Sequence, residues 1–285
     1  MIGGTKRDYD GNARAKSAQD LPRGRFHAMF ENFRDELDEH YDRRERIIKA
    51  SRDVTAQSKK IIFTLQRYLA KLQDDQVTSH TICTSPLTHS LMHCRVKQPN
   101  KDFPKGIQQD IDTRLGEISK LLSGITADLQ SINRYRYGFS MRCLEELVEA
   151  LSFAHYLRHQ TLITLEETQA AVPADIVLTS HDYMYGLFDL FGEMMRFATV
   201  TTAQTGELVG DYERNILGDI QELGCAFEML PQVPTKDFRS KMEVMRQSIN
   251  KVEKLGYGLV VRGSERPKGW VPDMKDDDHR PVSPV

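Results

Sequence analysis

Four acidic side chains stand among large apolar residues in two segments that are typical of buried helices. Glu146 and Glu149 are three positions apart in the first segment, and Asp189 and Glu193 are four positions apart in the second. At these spacings the members of a pair lie on one side of a helix, one turn apart. Buried carboxylates lose hydration, so each should be paired, protonated or bound to a cation. Two such pairs that face each other would form a divalent-metal site.

Magnesium suits this set of donors, because it binds carboxylate oxygens and keeps several waters in its coordination sphere. Such an ion activates water to attack a phosphodiester, with a neighbouring glutamate as the general base. The same acids can instead form ordinary salt bridges that only stabilise the fold, and the sequence leaves this alternative open. The pattern therefore indicates metal-dependent phosphodiester cleavage without excluding a structural cluster.

A di-iron carboxylate bundle also uses inward-facing acids, but it requires Glu-x-x-His motifs. The residue three positions before a histidine of the helical segments is never glutamate, and these residues are Gly24, Leu37, Ser152, Tyr156 and Leu178. His155 falls on the apolar stripe of its helix and is predicted to be a core histidine rather than a ligand. The sequence also lacks the motifs of P-loop nucleotidases, serine hydrolases and HExxH metalloproteases.

The chain is 39% hydrophobic and 28% charged, with a formal net charge of -2. This charge gives no global attraction to nucleic acid, so RNA binding would need local basic residues or a partner chain. No apolar run has the length of a membrane span, and the N-terminus lacks a secretory pattern. The four cysteines are scattered and are predicted to be free thiols. We expect a cytoplasmic and nuclear protein with no membrane association.

Arginines near the acids and in the first helix are the candidate contacts to RNA. Arg196 lies one turn beyond Glu193, where it could touch a phosphate or form an ion pair with Glu193. Arg43 and Arg44 belong to a charged run that is either a solvated helix face or a stripe that contacts phosphates. These assignments are weaker than those of the four acids.

The two acid-bearing segments lie in a chain whose apolar residues recur at helical spacing over most of its length. The pattern predicts an all-α fold, a bundle of seven helices with long antiparallel members, in a single domain over residues 21–263. The predicted helices cover residues 23–72, 107–132, 135–160, 165–171, 183–197, 207–229 and 235–260.

Capping residues mark the start of several predicted helices. Ser180 or Asp182 is the expected N-cap of the helix that carries the second acid pair. Thr164 and Glu167 have the spacing of a capping box at the start of the short helix, and Thr235 is the expected N-cap of the last one. Each cap satisfies a backbone N–H that the helix itself leaves unpaired.

Three segments lack a helical period. Residues 1–20 are predicted to be a disordered arm, and residues 264–285, with four prolines and an acidic run, a disordered tail. Residues 74–104 are rich in Ser, Thr, His, Cys and Pro and are predicted to form an irregular insertion or loop. The histidines and cysteines of this insertion match no metal-binding template.

Several stretches of the sequence together resemble the translin family, and within it the factor X branch rather than translin itself. The stretches are residues 33–67, 144–157, 182–196 and 251–267, and they include EELVEA at 145–150 and VRGSE at 261–265. The resemblance runs in order from about residue 25 to residue 267 and leaves out the insertion and both tails.

The resemblance implies a Mg²⁺-dependent endoribonuclease that cleaves single-stranded RNA once it has assembled with translin into a hetero-octamer. Such complexes remove passenger strands in RNA silencing or process tRNA fragments, and single-stranded DNA is considered as a second ligand. Carried over residue by residue, the family motif assigns metal binding and catalysis to Glu146, Glu149, Asp189 and Glu193. The competing interpretation is a non-catalytic helical scaffold or nucleic-acid-binding partner of translin.

Overall fold

The computed structural model describes residues 24–79, 102–209 and 214–262, and in these ranges every regular element is a helix. This confirms the predicted all-α fold. The α-helices of the described ranges are α1 (His27–Ser79), α2 (Lys105–Ser123), α3 (Asn133–Arg136), α4 (Cys143–His159), α5 (Leu165–Ala170), α6 (Ser180–Thr205), α7 (Ile216–Glu228) and α8 (Lys236–Arg262). Two 3-10 turns, Thr126–Leu129 and Gly138–Met141, flank the single turn of α3. None of these helices combines the length and hydropathy that crossing a membrane requires.

Several predictions concern residues outside the described ranges. The predicted arm at 1–20, the predicted tail at 264–285 and residues 80–101 of the insertion all lie there, as do Cys83 and Cys94. The two described cysteines are free thiols, as predicted, with Cys143 buried and Cys225 exposed.

The chain divides into two compact units at the boundary between Glu45 and Arg46. The first unit contains the start of α1, where large apolar side chains at helical spacing are exposed, namely Phe26, Phe30, Phe33, Leu37 and Tyr41. Within this unit, Arg43 donates a hydrogen bond to Glu39 at 2.5 Å. The second unit, described as far as residue 262, contains the hydrophobic core and all four predicted acids.

The core of the second unit is built around α6, which packs against α4, α7 and α8. Helices α4 and α6 are apolar around most of their circumference, so both are enclosed by other elements. The two helices meet through aromatic side chains, with the rings of Phe153 and Phe197 edge to face at 6.4 Å. The buried face of α1 repeats at helical spacing through Ile47, Val54, Ile61 and Leu65.

The second predicted helix is shorter than its apolar period suggested. Helix α2 ends before Gly124, and residues 125–141 form 3-10 and single-turn segments, so the predicted extension to residue 132 is wrong. Within this stretch Arg134 is buried and pairs with the buried carboxylate of Asp182. This contact with a distant segment fixes the path of the chain, and an apolar period alone could not reveal it.

The first helix extends further than predicted. Helix α1 continues to Ser79, six residues into the segment at 74–104 that was predicted to be irregular. The polar composition of residues 74–79 argued for a loop, but these residues contain neither Pro nor Gly to end the helix.

The ends of α6 and the start of α7 also differ from the prediction. The N-cap of α6 is Thr179, because Asp182 is the third residue of the helix and forms a capping box with it. Helix α6 continues to Thr205 and ends at Gly206, which has a φ of 72°. Helix α7 therefore begins only at Ile216, and the predicted start at residue 207 is wrong. By contrast, the capping box of Thr164 with Glu167 and the N-cap Thr235 are confirmed.

Candidate functional site

Gly186 allows the close approach of the two helices that carry the acids. A Cβ at this position of α6 would lie 2.5 Å from the Cβ of Val148 and 2.6 Å from the carbonyl oxygen of Glu145, both on α4. Real Cβ atoms do not approach other atoms to less than 3.0 Å, so a larger residue would push the helices apart. Because Gly186 lies one turn before Asp189, and Val148 directly precedes Glu149, this crossing sets the spacing of the acid pairs.

The start of α6 is fixed by a network of polar contacts. The backbone N–H of Asp182 donates to Thr179 Oγ1 at 3.1 Å, and the backbone N–H of Thr179 donates to Asp182 Oδ2 at 2.9 Å. The same carboxylate accepts from Arg134, whose Nε donates to the carbonyl oxygen of Val177 at 2.9 Å. The register of α6, and with it the position of Asp189, is thus anchored two turns upstream.

The four predicted acids all belong to one cluster, which has a buried half and an accessible half. Glu149 on α4 and Glu193 on α6 are only 8% and 6% exposed. The side chains of Glu146 and Asp189 are 26% and 35% exposed. Each helix therefore contributes one buried and one accessible carboxylate.

Glu149 is the electrostatic centre of this acid cluster. Burial raises the pKa of Glu149 to about 8, and the negative charges of Asp189, Glu146 and Glu193 raise it as well. The positive charge of Lys241 lowers the pKa of Glu149 but does not outweigh these contributions. Glu149 is therefore largely protonated near neutral pH, which is the expected response of a carboxyl group held among like charges.

The other three acids each have a partner of positive charge. The ammonium group of Lys59 lies 3.3 Å from Glu146, and that of Lys241 lies 2.6 Å from Asp189. Arg196 lies 3.1 Å from Glu193. Salt bridges therefore compensate the negative charges of Glu146, Asp189 and Glu193. Glu149 carries little charge because it is protonated.

Glu193 also accepts a hydrogen bond from α1. Gln66 Nε2 donates to Glu193 Oε2 at 2.9 Å, which holds the buried carboxylate between two helices. Because Gln66 is neutral, this contact orients the carboxylate without removing its charge.

The donors fit magnesium in kind, because all four acids offer carboxylate oxygens. In the part of the chain that the structure describes, no three acidic, histidine or cysteine side chains are yet arranged to hold one metal ion. The salt bridges account for this arrangement, since Lys59, Lys241 and Arg196 each hold a carboxylate. Binding of an ion would require these carboxylates to leave their present partners.

The sequence patterns did not reveal Glu145, Lys59 or Lys241 as members of this site. Glu145 is buried on α4, where burial raises its pKa, and its carboxylate lies 3.6 Å from the ammonium group of Lys241. The doublet of Glu145 with Glu146 at the start of a buried helix was a local signal that could have indicated it. Lys241 lies on α8 and had no such signal.

The accessible half of the cluster opens into a cleft of about 380 Å³. Its lining includes four carboxylates and two cations, namely Glu145, Glu146, Asp189, Asp237, Arg142 and Lys241. The cleft thus combines carboxylates with two cationic side chains in one solvent-accessible space. Carboxylates can bind a metal ion, and the two cationic side chains can contact an anion.

The remaining predicted residues have varied positions. Arg196 forms the ion pair with Glu193 that was the alternative to an RNA contact, although its side chain is 53% exposed. His155 is half-buried, with Nε2 3.0 Å from Thr161 Oγ1, so it is a satisfied histidine at the edge of the core. Arg43 and Arg44 belong to the first unit, and their contact with RNA stays a prediction.

The fold is similar to the crystal structure of apo-NeC3PO, with a TM-score of 0.53 over 79% of this chain and 94% of that one. It is also similar to the crystal structure of AfC3PO, with a TM-score of 0.50 over 84% of this chain and 98% of that one. The sequence identities are 16% and 18%, so this likeness concerns the fold alone.

Similarity in sequence is more extensive. The chain is 29% identical over 269 residues to translin-associated protein X of Rattus norvegicus, covering 86% of this chain and 82% of the relative. It is 27% identical over 242 residues to the translin-associated protein X homolog of Schizosaccharomyces pombe, covering 83% of this chain and 89% of the relative. The profile of the Translin family matches residues 42–263, a range that includes all four acids. Because this match spans most of the chain, the chain belongs to the translin family.

Proposed function

We propose that this chain is the catalytic subunit of a complex with translin and that it cleaves single-stranded RNA as a Mg²⁺-dependent endoribonuclease. The metal-binding residues are Glu146, Glu149, Asp189 and Glu193. The observation that carries the proposal is the clustering of four carboxylates from α4 and α6, in which Glu149 is buried and has a raised pKa. A divalent cation in this cluster relieves the repulsion and gives the buried carboxylate a partner.

The residues of the cluster have different roles in the proposed reaction. A magnesium ion held by these carboxylates would supply Lewis-acid stabilisation of the negative charge on the phosphodiester. As a metal ligand Glu149 would lose its proton when the ion binds, and a carboxylate of the cluster that the ion leaves free would act as the general base. Gln66 orients Glu193 through their 2.9 Å hydrogen bond. Arg196, half-exposed beside Glu193, is the nearest predicted arginine for an RNA phosphate.

Membership of the translin family and similarity to proteins named translin-associated support translin as the partner. The assembly that we propose is the hetero-octamer that the family resemblance implies. Its substrates are passenger strands of RNA silencing or fragments of tRNA processing, with Arg43 and Arg44 as further candidate RNA contacts. Single-stranded DNA is a second candidate ligand.

A second candidate function is that of a non-catalytic scaffold. The three ion pairs of Lys59, Lys241 and Arg196 favour it, because they compensate carboxylate charge without a metal ion. Glu149 favours the enzyme, because a purely structural cluster gains little from a buried acid that three other carboxylates surround.

Cleavage of a labelled single-stranded RNA by the complex co-expressed with translin separates the two functions. We expect cleavage in MgCl₂ and none in EDTA, and we expect Glu149→Ala to abolish it while leaving assembly intact. Glu117→Ala is the matched control, because Glu117 is an exposed glutamate on α2. An assembled Glu149→Ala complex that cuts at the wild-type rate would exclude the enzyme and leave the scaffold.

A further inference from the structure

The cleft beside the acid cluster contains two cations that the proposed chemistry does not yet use. Arg142 precedes α4, Lys241 lies on α8, and both line the 380 Å³ space next to Glu146 and Asp189. We propose that this cleft binds a phosphate group of single-stranded RNA, with Lys241 and Arg142 as its contacts. The inference rests on the proposed function and names residues that bind the substrate of that same site.

The ammonium group of Lys241 has several partners, so losing Asp189 would free one of its N–H donors and leave the others in place. Its ammonium group donates to Asp189 Oδ2 at 2.6 Å and to the carbonyl oxygen of Tyr185 at 3.3 Å, and it lies 3.6 Å from Glu145. It also lies 5.3 Å from the centre of the Tyr185 ring. If Asp189 bound a divalent cation, the carbonyl oxygen of Tyr185 and the carboxylate of Glu145 would remain as partners of the ammonium group. The donor that Asp189 releases then faces a phosphate oxygen.

Arg142 is available to a phosphate for a different reason. Its present partner is Asp237 at 2.6 Å, and both side chains are more than half exposed. An exposed pair of this kind contributes little, so a phosphate can take the place of Asp237. The guanidinium group offers two parallel N–H donors, the geometry that matches phosphate oxygens.

An exposed aromatic ring beside Arg142 makes a nucleic acid a better occupant than a free phosphate ion. The ring centre of Phe139 lies 5.4 Å from the guanidinium carbon of Arg142, and Phe139 is 86% exposed. Proteins that bind single strands combine cations along the backbone with aromatic rings on which bases stack. The cations of the cleft and the Phe139 ring, which lies beside Arg142 outside the residues that line the cleft, offer a nucleotide contacts for its phosphate and for its base.

Binding of a labelled 2′-O-methyl oligouridine, which is single-stranded and resists cleavage, tests the inference. The full chain is titrated at several KCl concentrations, in saturating MgCl₂ and in EDTA, and binding is followed by fluorescence anisotropy. In MgCl₂ we expect Lys241→Met and Arg142→Gln each to weaken binding. Each should also make the negative slope of log K against log salt shallower by about 0.7, because one phosphate contact is lost. In EDTA, Lys241→Met should leave this slope unchanged, because Asp189 then holds the ammonium group.

Two control variants separate this effect from a general loss of charge or of fold. Lys241→Arg keeps the charge and should keep the salt dependence. Arg239→Gln removes an exposed cation from the same helix and should bind as the wild type does. A folded Lys241→Met protein with wild-type affinity and slope in MgCl₂ would overturn the inference, as would an equal loss in Arg239→Gln. If Lys241→Met does not fold, Arg142→Gln decides by the same criterion.

The binding experiment and the cleavage assay can fail separately, so they test the phosphate site and the proposed enzyme independently. Wild-type binding by both variants together with normal cleavage would overturn the phosphate site alone. Weakened binding in both variants together with no cleavage by any complex would overturn the proposed enzyme and leave a binding site for single strands.

Discussion

Gly186 on α6 faces Val148 on α4 so closely that a Cβ on the glycine would lie 2.5 Å from the Cβ of the valine. This contact lies one turn from Asp189 and next to Glu149, so the distance between the helices is fixed where the acids come together. Neither residue carries chemistry of its own. Their packing nevertheless sets how strongly the carboxylates act on one another.

We expect Gly186→Ala to destabilise the protein by roughly 1 to 3 kcal/mol, because the added methyl group overpacks the helix crossing. Gly192→Ala is the matched control, since it lies on the same helix with nothing within 4 Å of an added Cβ. There the better helix propensity of alanine should stabilise the protein by up to about 1 kcal/mol. Urea denaturation measures both changes, and equal effects of the two substitutions would contradict this account.

Glu149 should make the stability of the metal-free protein fall as pH rises. Its pKa is raised from an ordinary value of 4.5 to about 8, so between these pH values the folded state retains a proton that the unfolded state has lost. The stabilisation is complete below about pH 4.5 and is lost as pH rises towards 8. We expect Glu149→Gln to lose less stability over this range than the wild type, by on the order of 3 kcal/mol.

Denaturation in EDTA at a series of pH values measures this difference. Glu117→Gln, at an exposed position on α2, is the control and should follow the wild type. Parallel curves for the wild type and Glu149→Gln would mean that Glu149 titrates at its ordinary pKa.

Magnesium should raise the melting temperature of the wild-type chain, because an ion that binds only the folded state stabilises it. The increase should be larger at pH 8 than at pH 6, since Glu149 must lose its proton to become a ligand. We expect Glu149→Gln and Asp189→Asn to lose most of the increase, and Glu117→Gln to retain it. Differential scanning calorimetry in EDTA and in MgCl₂ measures the shift. An equal shift in all four proteins would indicate general ionic stabilisation and no site at the acids.

The buried pair of Arg134 and Asp182 should be important for stability. Removing the charge by Asp182→Asn leaves a buried guanidinium group without its partner and weakens the capping box of α6, at a cost of roughly 3 to 5 kcal/mol. Asp237→Asn breaks the exposed pair with Arg142 and should cost less than about 1 kcal/mol. Guanidinium denaturation of the two variants compares them, and similar losses would show that burial does not decide the strength of these pairs.

The sequence by itself predicted the helical class and the placement of each acid pair on one side of its helix, because both depend on local patterns. Apolar residues at helical spacing identify helices, and the intervals between Glu146 and Glu149 and between Asp189 and Glu193 place each pair on one side of a helix. Local chemistry also predicted the capping box of Thr164, which is satisfied within one turn. Local signals failed at the end of α2, where the buried pair of Arg134 with a distant segment controls the chain path.

Only the tertiary structure decided the charge state of the cluster. Lys59 on α1 and Lys241 on α8 reach Glu146 and Asp189 from helices far away in the sequence. Glu149 has a raised pKa because folding buries it among carboxylates of its own helix and of α6. Coulomb interactions and desolvation depend on distances through space and on exclusion of water. The sequence therefore determined which acids this protein carries and on which helices, whereas the packing of α1, α4, α6 and α8 decided which of them are paired, protonated or open to solvent.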